Sequence, residues 1–275
     1  MTYAPPSGEF TAIDVWKAKF IPINTDGTLK ATAVTPYEGL ELKKVKSIVS
    51  NLGTPRQIPV TAQGRTQTTF TLPAIDPKTI EGHLSYIDLD TYASLSSVKT
   101  RTIGGALTTL VSTNKESFEQ KGILLVSQLL GHDADDSDVW YSNIFLRVKA
   151  VFTFPAMNEN AMDVTVHFSV GSSRKHITGA ALSESVDGAT DAVMIPALTW
   201  GQLNIVGWLA NGTASTFVLP TDKPANSTFA DTFVVYNQTA GVVVAGTPSA
   251  VNFVATAAPA TGKVLVGWYE TLSGV

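Results

Sequence analysis

Between residues 144 and 170 apolar and polar positions alternate on both sides of a turn-forming cluster, and no other feature constrains the fold as tightly. Ile144, Leu146, Val148, Ala150, Phe152 and Phe154 alternate with Phe145, Arg147, Lys149, Val151 and Thr153. After Pro155 comes the polar segment Met157-Asn158-Glu159-Asn160, and the chain returns through Met162, Val164, Val166, Phe168 and Val170, interleaved with Asp163, Thr165, His167 and Ser169. Successive side chains of a strand point to opposite faces, so the pattern predicts two paired antiparallel strands with one buried face. The second face carries Arg147, Lys149, Asp163 and His167 and is expected to meet water or a polar interface.

Further strands are expected over residues 14–23, 40–50, 66–72, 79–86 and 123–130, the last apolar enough for a central strand or a short buried helix. One helix is expected over residues 89–97, with Asp88 as N-cap, Asp90 in the first turn and Leu89, Tyr92, Ala93 and Ser96 near one face. Two turns are too short to be stable alone, so this helix must pack on a sheet. From residue 171 to 190 the pattern lapses into Gly, Ser, Asp and Thr, which puts a boundary there. Beyond it, short apolar runs at 203–209, 215–219, 232–236, 241–244, 251–255 and 264–269 are separated by Gly, Pro, Asn and Thr. That rhythm predicts a small all-β sandwich.

Charge follows the same division. Residues 177–275 hold six acidic groups and two basic ones, leaving 17 of each sign in residues 1–176, so the net charge of −4 lies in the C-terminal third. A chain with only 15% charged residues hides surface against other subunits or is solvated by Ser, Thr, Asn and Gln. The balanced first part argues against a basic nucleic-acid-binding surface. Residues 192–221 and 232–262 are free of charge, but Pro, Gly, Asn and Gln interrupt both, so neither reads as a membrane span. The N-terminal residues show no basic or apolar secretory pattern, and Pro5, Pro6 and Gly8 suit an extended arm over residues 1–9 or a frayed terminus.

Nothing in the sequence points to catalysis or to a cofactor. The nucleophile elbow, the phosphate-binding loop, the dinucleotide turn and the zinc-binding helix motif are all missing. His83, His132, His167 and His176 are far apart, and His83 and His167 fall on polar strand faces. The acidic segment from His132 to Asp138 has short carboxylate spacing, but it lacks the glycine and terminal glutamate of a calcium loop and reads better as a solvated loop, so no metal site is assigned. Lys43, Lys44 and Lys46 suit a strand edge defended against aggregation. The chain has no cysteine, which excludes disulfides and thiolate metal sites. Trp16, Trp140, Trp200, Trp208 and Trp268 are scattered, as fits cores and interfaces.

The order of three segments and the hairpin resembles the tail tube (major tail) proteins of tailed bacteriophages. The segments are residues 36–44 (PYEGLELKK), residues 64–73 (GRTQTTFTLP) and the helix beginning Asp88-Leu89-Asp90-Thr91-Tyr92; the hairpin has Asn158-Glu159-Asn160 at its turn. The closing run of residues 262–271 is similar to small β modules appended to phage virion proteins.

The resemblance implies a mainly β fold: tail-tube-like packed β-sheets with one short flanking helix over residues 1–175, and a C-terminal small β-sandwich over residues 176–275. It implies a structural virion protein, made in the bacterial host cytoplasm, that assembles with itself into stacked hexameric rings. Those rings would meet other tail proteins and pass DNA without sequence specificity, with Arg147, Lys149, Asp163 and His167 as candidate residues of a neutral to negative lumen wall. Two other readings stand beside it: a capsid-decorating or baseplate protein, and a carbohydrate-binding or adhesin module.

Overall fold

The computed structural model describes residues 15–23, 29, 31–51, 56–62, 65–72, 79–85, 91, 94–95, 99–103, 107–111, 119–132, 138–153, 164–170, 176–178, 183–185, 194–199, 201–226 and 233–271. The fold is mainly β, and every strand pair in it is antiparallel. The largest sheet contains β1 (Trp16–Pro22), β2 (Leu40–Leu42), β3 (Val45–Asn51), β6 (Thr79–Leu84), β9 (Glu119–His132), β10 (Asp138–Thr153) and β11 (Val164–Val170), in the order β2-β1-β9-β10-β11-β6-β3. Two further strands, β4 (Arg56–Ala62) and β5 (Arg65–Leu72), pair only with each other among the described residues, as do β7 (Lys99–Ile103) and β8 (Leu107–Val111).

The predicted hairpin is present: Val148–Thr153 of β10 pair with Val164–Val170 of β11. Its inward pattern differs from strict alternation, because the register with β9 slips by one residue between Phe145 and Val148. An extra residue in one strand of an antiparallel pair is a β-bulge, and it changes which face the following residues occupy. Phe145, Val148 and Ala150 therefore share one core, while Ile144 and Leu146 belong to another. The expectation of one buried face holds beyond the bulge and fails before it, where both faces are buried.

The expected strand over 40–50 is two strands. They lie at opposite ends of the strand order yet are joined by Lys43 and Lys44 alone, with Lys44 in the left-handed region (φ 53). The sheet must curl to bring its ends together, so it forms a partly closed barrel. Inside are Phe20, Leu42, Ile80, Leu84, Leu124, Val126, Phe145, Val164, Val166 and Phe168. Gly122 is needed there: a side chain at that position would collide with the Phe20 ring and the Ile21 carbonyl. Of the expected helix, Thr91, Ser94 and Leu95 are described and helical. Thr91 and Leu95, four residues apart, are buried, and Leu95 enters the barrel core. Leu89, Tyr92, Ala93 and Ser96, expected near the inward face, lie outside the described residues.

The rest of the chain adds strands on both sides of the expected boundary. A two-stranded pair, β12 (His176–Thr178) and β13 (Ser183–Ser185), comes first. Next, β14 (Met194–Thr199) pairs with β10 of the large sheet, beside the end that β11 occupies. A four-stranded sheet follows, with β15 (Leu203–Leu209), β21 (Val264–Glu270), β17 (Val234–Asn237) and β18 (Val242–Val243) in that order. The three-stranded sheet has β16 (Thr216–Val218), β20 (Asn252–Ala255) and β19 (Gly246–Pro248). Trp208, Phe217, Leu219, Phe233, Val235, Phe253 and Tyr269 fill the space between these two sheets, which form a sandwich.

The four-stranded sheet is buried on both faces. Its second face, with Leu203, Ile205, Val264, Val266 and Trp268, packs on Ile21, Ile123, Leu125, Ile144 and Leu146 outside the barrel. Both faces being covered explains why β21 is buried along its whole length and why β15 and β21 read as continuous apolar runs. A strap from the first part of the chain completes the sandwich. Leu29 enters the shared core, Ala33 enters the sandwich core and accepts a hydrogen bond from Val218 N (2.9 Å), and Tyr37 exchanges two backbone bonds of 2.8 Å with Gly207. A side chain on Gly207 would strike Leu29.

Candidate functional site

The polar face predicted from the hairpin is on the outside of the barrel. Arg147 sits in the bulge and is exposed; Lys149 is exposed, in register with Lys121 of β9 on one side and Ser169 of β11 on the other. His167 faces Glu81 of β6, with Nδ1 3.3 Å from Oε1 and the two side chains 40% and 44% exposed. The row therefore carries both signs of charge. Asp163 lies outside the described residues, as do residues 1–9 and residues 133–137 of the acidic segment between β9 and β10.

A second polar group was not apparent in the sequence. Lys17 and Lys19, two apart on β1, point to the same side as Ile21 and reach the C-terminal sandwich. Lys17 Nζ donates to Gln202 Oε1 (2.8 Å) and lies 5.0 Å from the centre of the Trp140 ring. Lys19 Nζ donates to Asn204 Oδ1, and both residues are buried, 8% and 2% exposed. From Asn204 the chain of bonds continues: Nδ2 donates to the Tyr269 hydroxyl (2.9 Å), which donates to the Lys223 carbonyl (3.0 Å). The Lys223 ammonium is 3.0 Å from Glu38 and 3.4 Å from Asp222.

These groups surround a cleft of about 170 Å³, lined by Lys17, Lys19, Glu41, Gln202, Asn204 and Lys223 among others. Glu41 is the direct cross-strand neighbour of Lys19. Burial disfavours the Lys19 ammonium and, with help from the Lys223 charge, lowers its pKa from 10.5 to about 8. Burial likewise raises the phenol of Tyr269 above its usual range. The cleft thus brings together an amine that loses its proton more readily than an ordinary lysine, a primary amide and a carboxylate. Lysines at alternate positions of an otherwise apolar strand were the one trace of it in the sequence; their partners lie 185 residues away.

Neither this cleft nor the barrel face can be assigned by likeness, since no protein-family model matches the chain and no curated protein matches it.

Proposed function

We propose that this chain is a structural subunit of a phage tail tube, assembling into stacked hexameric rings that enclose a conduit for DNA. The observation that carries this reading is the pair of hairpins, β4–β5 and β7–β8, which pair with no other strand among the described residues. A two-stranded hairpin alone is marginally stable in water, and its open edges are templates for further pairing. Supplied by a neighbouring copy, that pairing gives head-to-tail contacts, which close into rings and stack into a tube. The mainly β fold, with Leu95 of a helical segment packed into the barrel core, supports this reading. The outer face with Arg147, Lys149 and His167, together with Asp163, remains our candidate for the lumen wall. Its mixed charge suits passage of DNA, because a strongly attractive wall would hold the phosphates.

The sandwich is poorly suited to act as an adhesin. All its described aromatic side chains (Trp208, Phe217, Phe233, Tyr236, Phe253, Trp268 and Tyr269) are buried, leaving no exposed ring among them on which a sugar could stack. Negative-stain microscopy of the purified chain tests the proposal. Long hollow tubes are expected; uniform small oligomers would overturn it in favour of a decorating or baseplate role.

A further inference from the structure

Lys19 and Asn204 are the one described lysine and amide in direct contact with both residues more than nine-tenths buried, and they sit where barrel and sandwich meet. A buried ammonium whose hydrogen-bond partner is a neutral amide is costly, because the nearby carboxylates of Glu41 and Glu38 do not offset the loss of water. Removing the charge by chemistry would relieve that cost. We propose that the two side chains react to form an intramolecular isopeptide bond, which joins the sandwich covalently to the barrel. The idea is independent of what the chain assembles into.

The reaction balances without any added reagent. The neutral Lys19 Nζ attacks the Asn204 side-chain carbonyl carbon, the Nζ–Cγ bond forms, the Cγ–Nδ2 bond breaks, and ammonia leaves. A proton moves from the attacking amine to the departing nitrogen, and the Glu41 carboxylate, facing Lys19 across β1 and β2 and lining the same cleft, relays it. The Tyr269 hydroxyl holds the amide in position through Nδ2. Contact fixed by the fold replaces a bimolecular encounter, and burial limits competing hydrolysis. The nearby Lys17–Gln202 pair offers the same functional groups, but it is only partly buried and lies against the Trp140 ring. In a chain without cysteine, such a bond supplies the covalent link that a disulfide cannot.

Intact-mass spectrometry of the full chain tests this. The wild type is expected about 17 Da below its sequence mass, the loss of one ammonia, and a digest should contain Lys19 joined to Asn204. Lys19→Arg and Asn204→Ala should keep the ammonia, and Glu41→Gln should slow its loss by at least about tenfold. A wild type at full mass after prolonged incubation near pH 8 would overturn the proposal. So would a loss that persists in Asn204→Ala, which would place it elsewhere, for instance at Asn211-Gly212. An unchanged rate in Glu41→Gln would remove Glu41 from the relay. Should the variants fail to fold, the wild-type digest alone decides.

Discussion

The barrel and the sandwich are both antiparallel β structures, but they treat their edges and charges in opposite ways. The sandwich is closed to further pairing. On one side the strap through Ala33 and Tyr37 covers β15 and β16, and on the other β18 is two residues long and β19 ends in Pro248. Its described aromatic side chains are all inside, and charge is nearly absent from it. The barrel region carries balanced charges outside and sends out two hairpins whose edges no described strand covers. The contrast teaches that a shortage of charge does not mark the strands whose edges are left open among the described residues. Among the described residues, two of the three isolated two-stranded pairs belong to the charged part and the third, β12–β13, lies at the expected boundary, while the sandwich beyond it is satisfied within the molecule.

The comparison can be broken most decisively at the hairpins. Replacing residues 56–72 with a short Gly-Ser linker should leave a folded monomer by circular dichroism and abolish tubes, whereas Val254→Asp on the outer face of the sandwich should leave tubes unchanged under the microscope. Loss of tubes in both would erase the distinction. Next comes the shared layer. Trp208→Ala should cost about 3–5 kcal/mol in urea unfolding, and because Trp268 and Ile205 tie the sandwich to Ile123 and Ile144, the loss should shift one common transition. Two separate transitions would show the halves to be independent. Gly122→Ala, which crowds the barrel against Phe20, should cost less, about 1–3 kcal/mol.

The junction itself sharpens the comparison through pH. The Lys19 amine attacks only when neutral, so the rate of ammonia loss should rise about tenfold per pH unit below its pKa of about 8 and level off above it. A flat profile in a mass-spectrometric time course would exclude Lys19 as the nucleophile. The smallest effect is expected on the outer barrel face, where Glu81→Gln removes the partner of a half-exposed His167 and should cost less than about 1 kcal/mol in thermal unfolding.

Local patterning made much of the fold legible. The hairpin of β10 and β11, the alternation of Ile80, Gly82 and Leu84 in β6, and the runs at 203–209 and 264–269 were all visible, because a strand's burial is written into successive residues. The bulge after Phe145 was not, since it depends on how β9 meets β10. Nor was the break at Lys43 and Lys44, which follows from the need of β2 and β3 to serve opposite ends of one curled sheet. Pro248 hid β19, and β14 joined a sheet that lies mostly on the other side of the expected boundary.

The sequence by itself determined that this chain is mainly β, that most of its charged residues lie in the first two thirds, and that short apolar strands follow in a charge-poor last third. Tertiary structure decided the meaning of the charge-poor third: its central sheet lies between the barrel wall and a second sheet, so neither of its faces needs charge. It also decided which lysine would be special. Lys17 and Lys19 are alike in sequence, but only Lys19 is buried against an amide 185 residues away. Burial and contact between distant segments set the energy of a charge, and no local pattern can encode them.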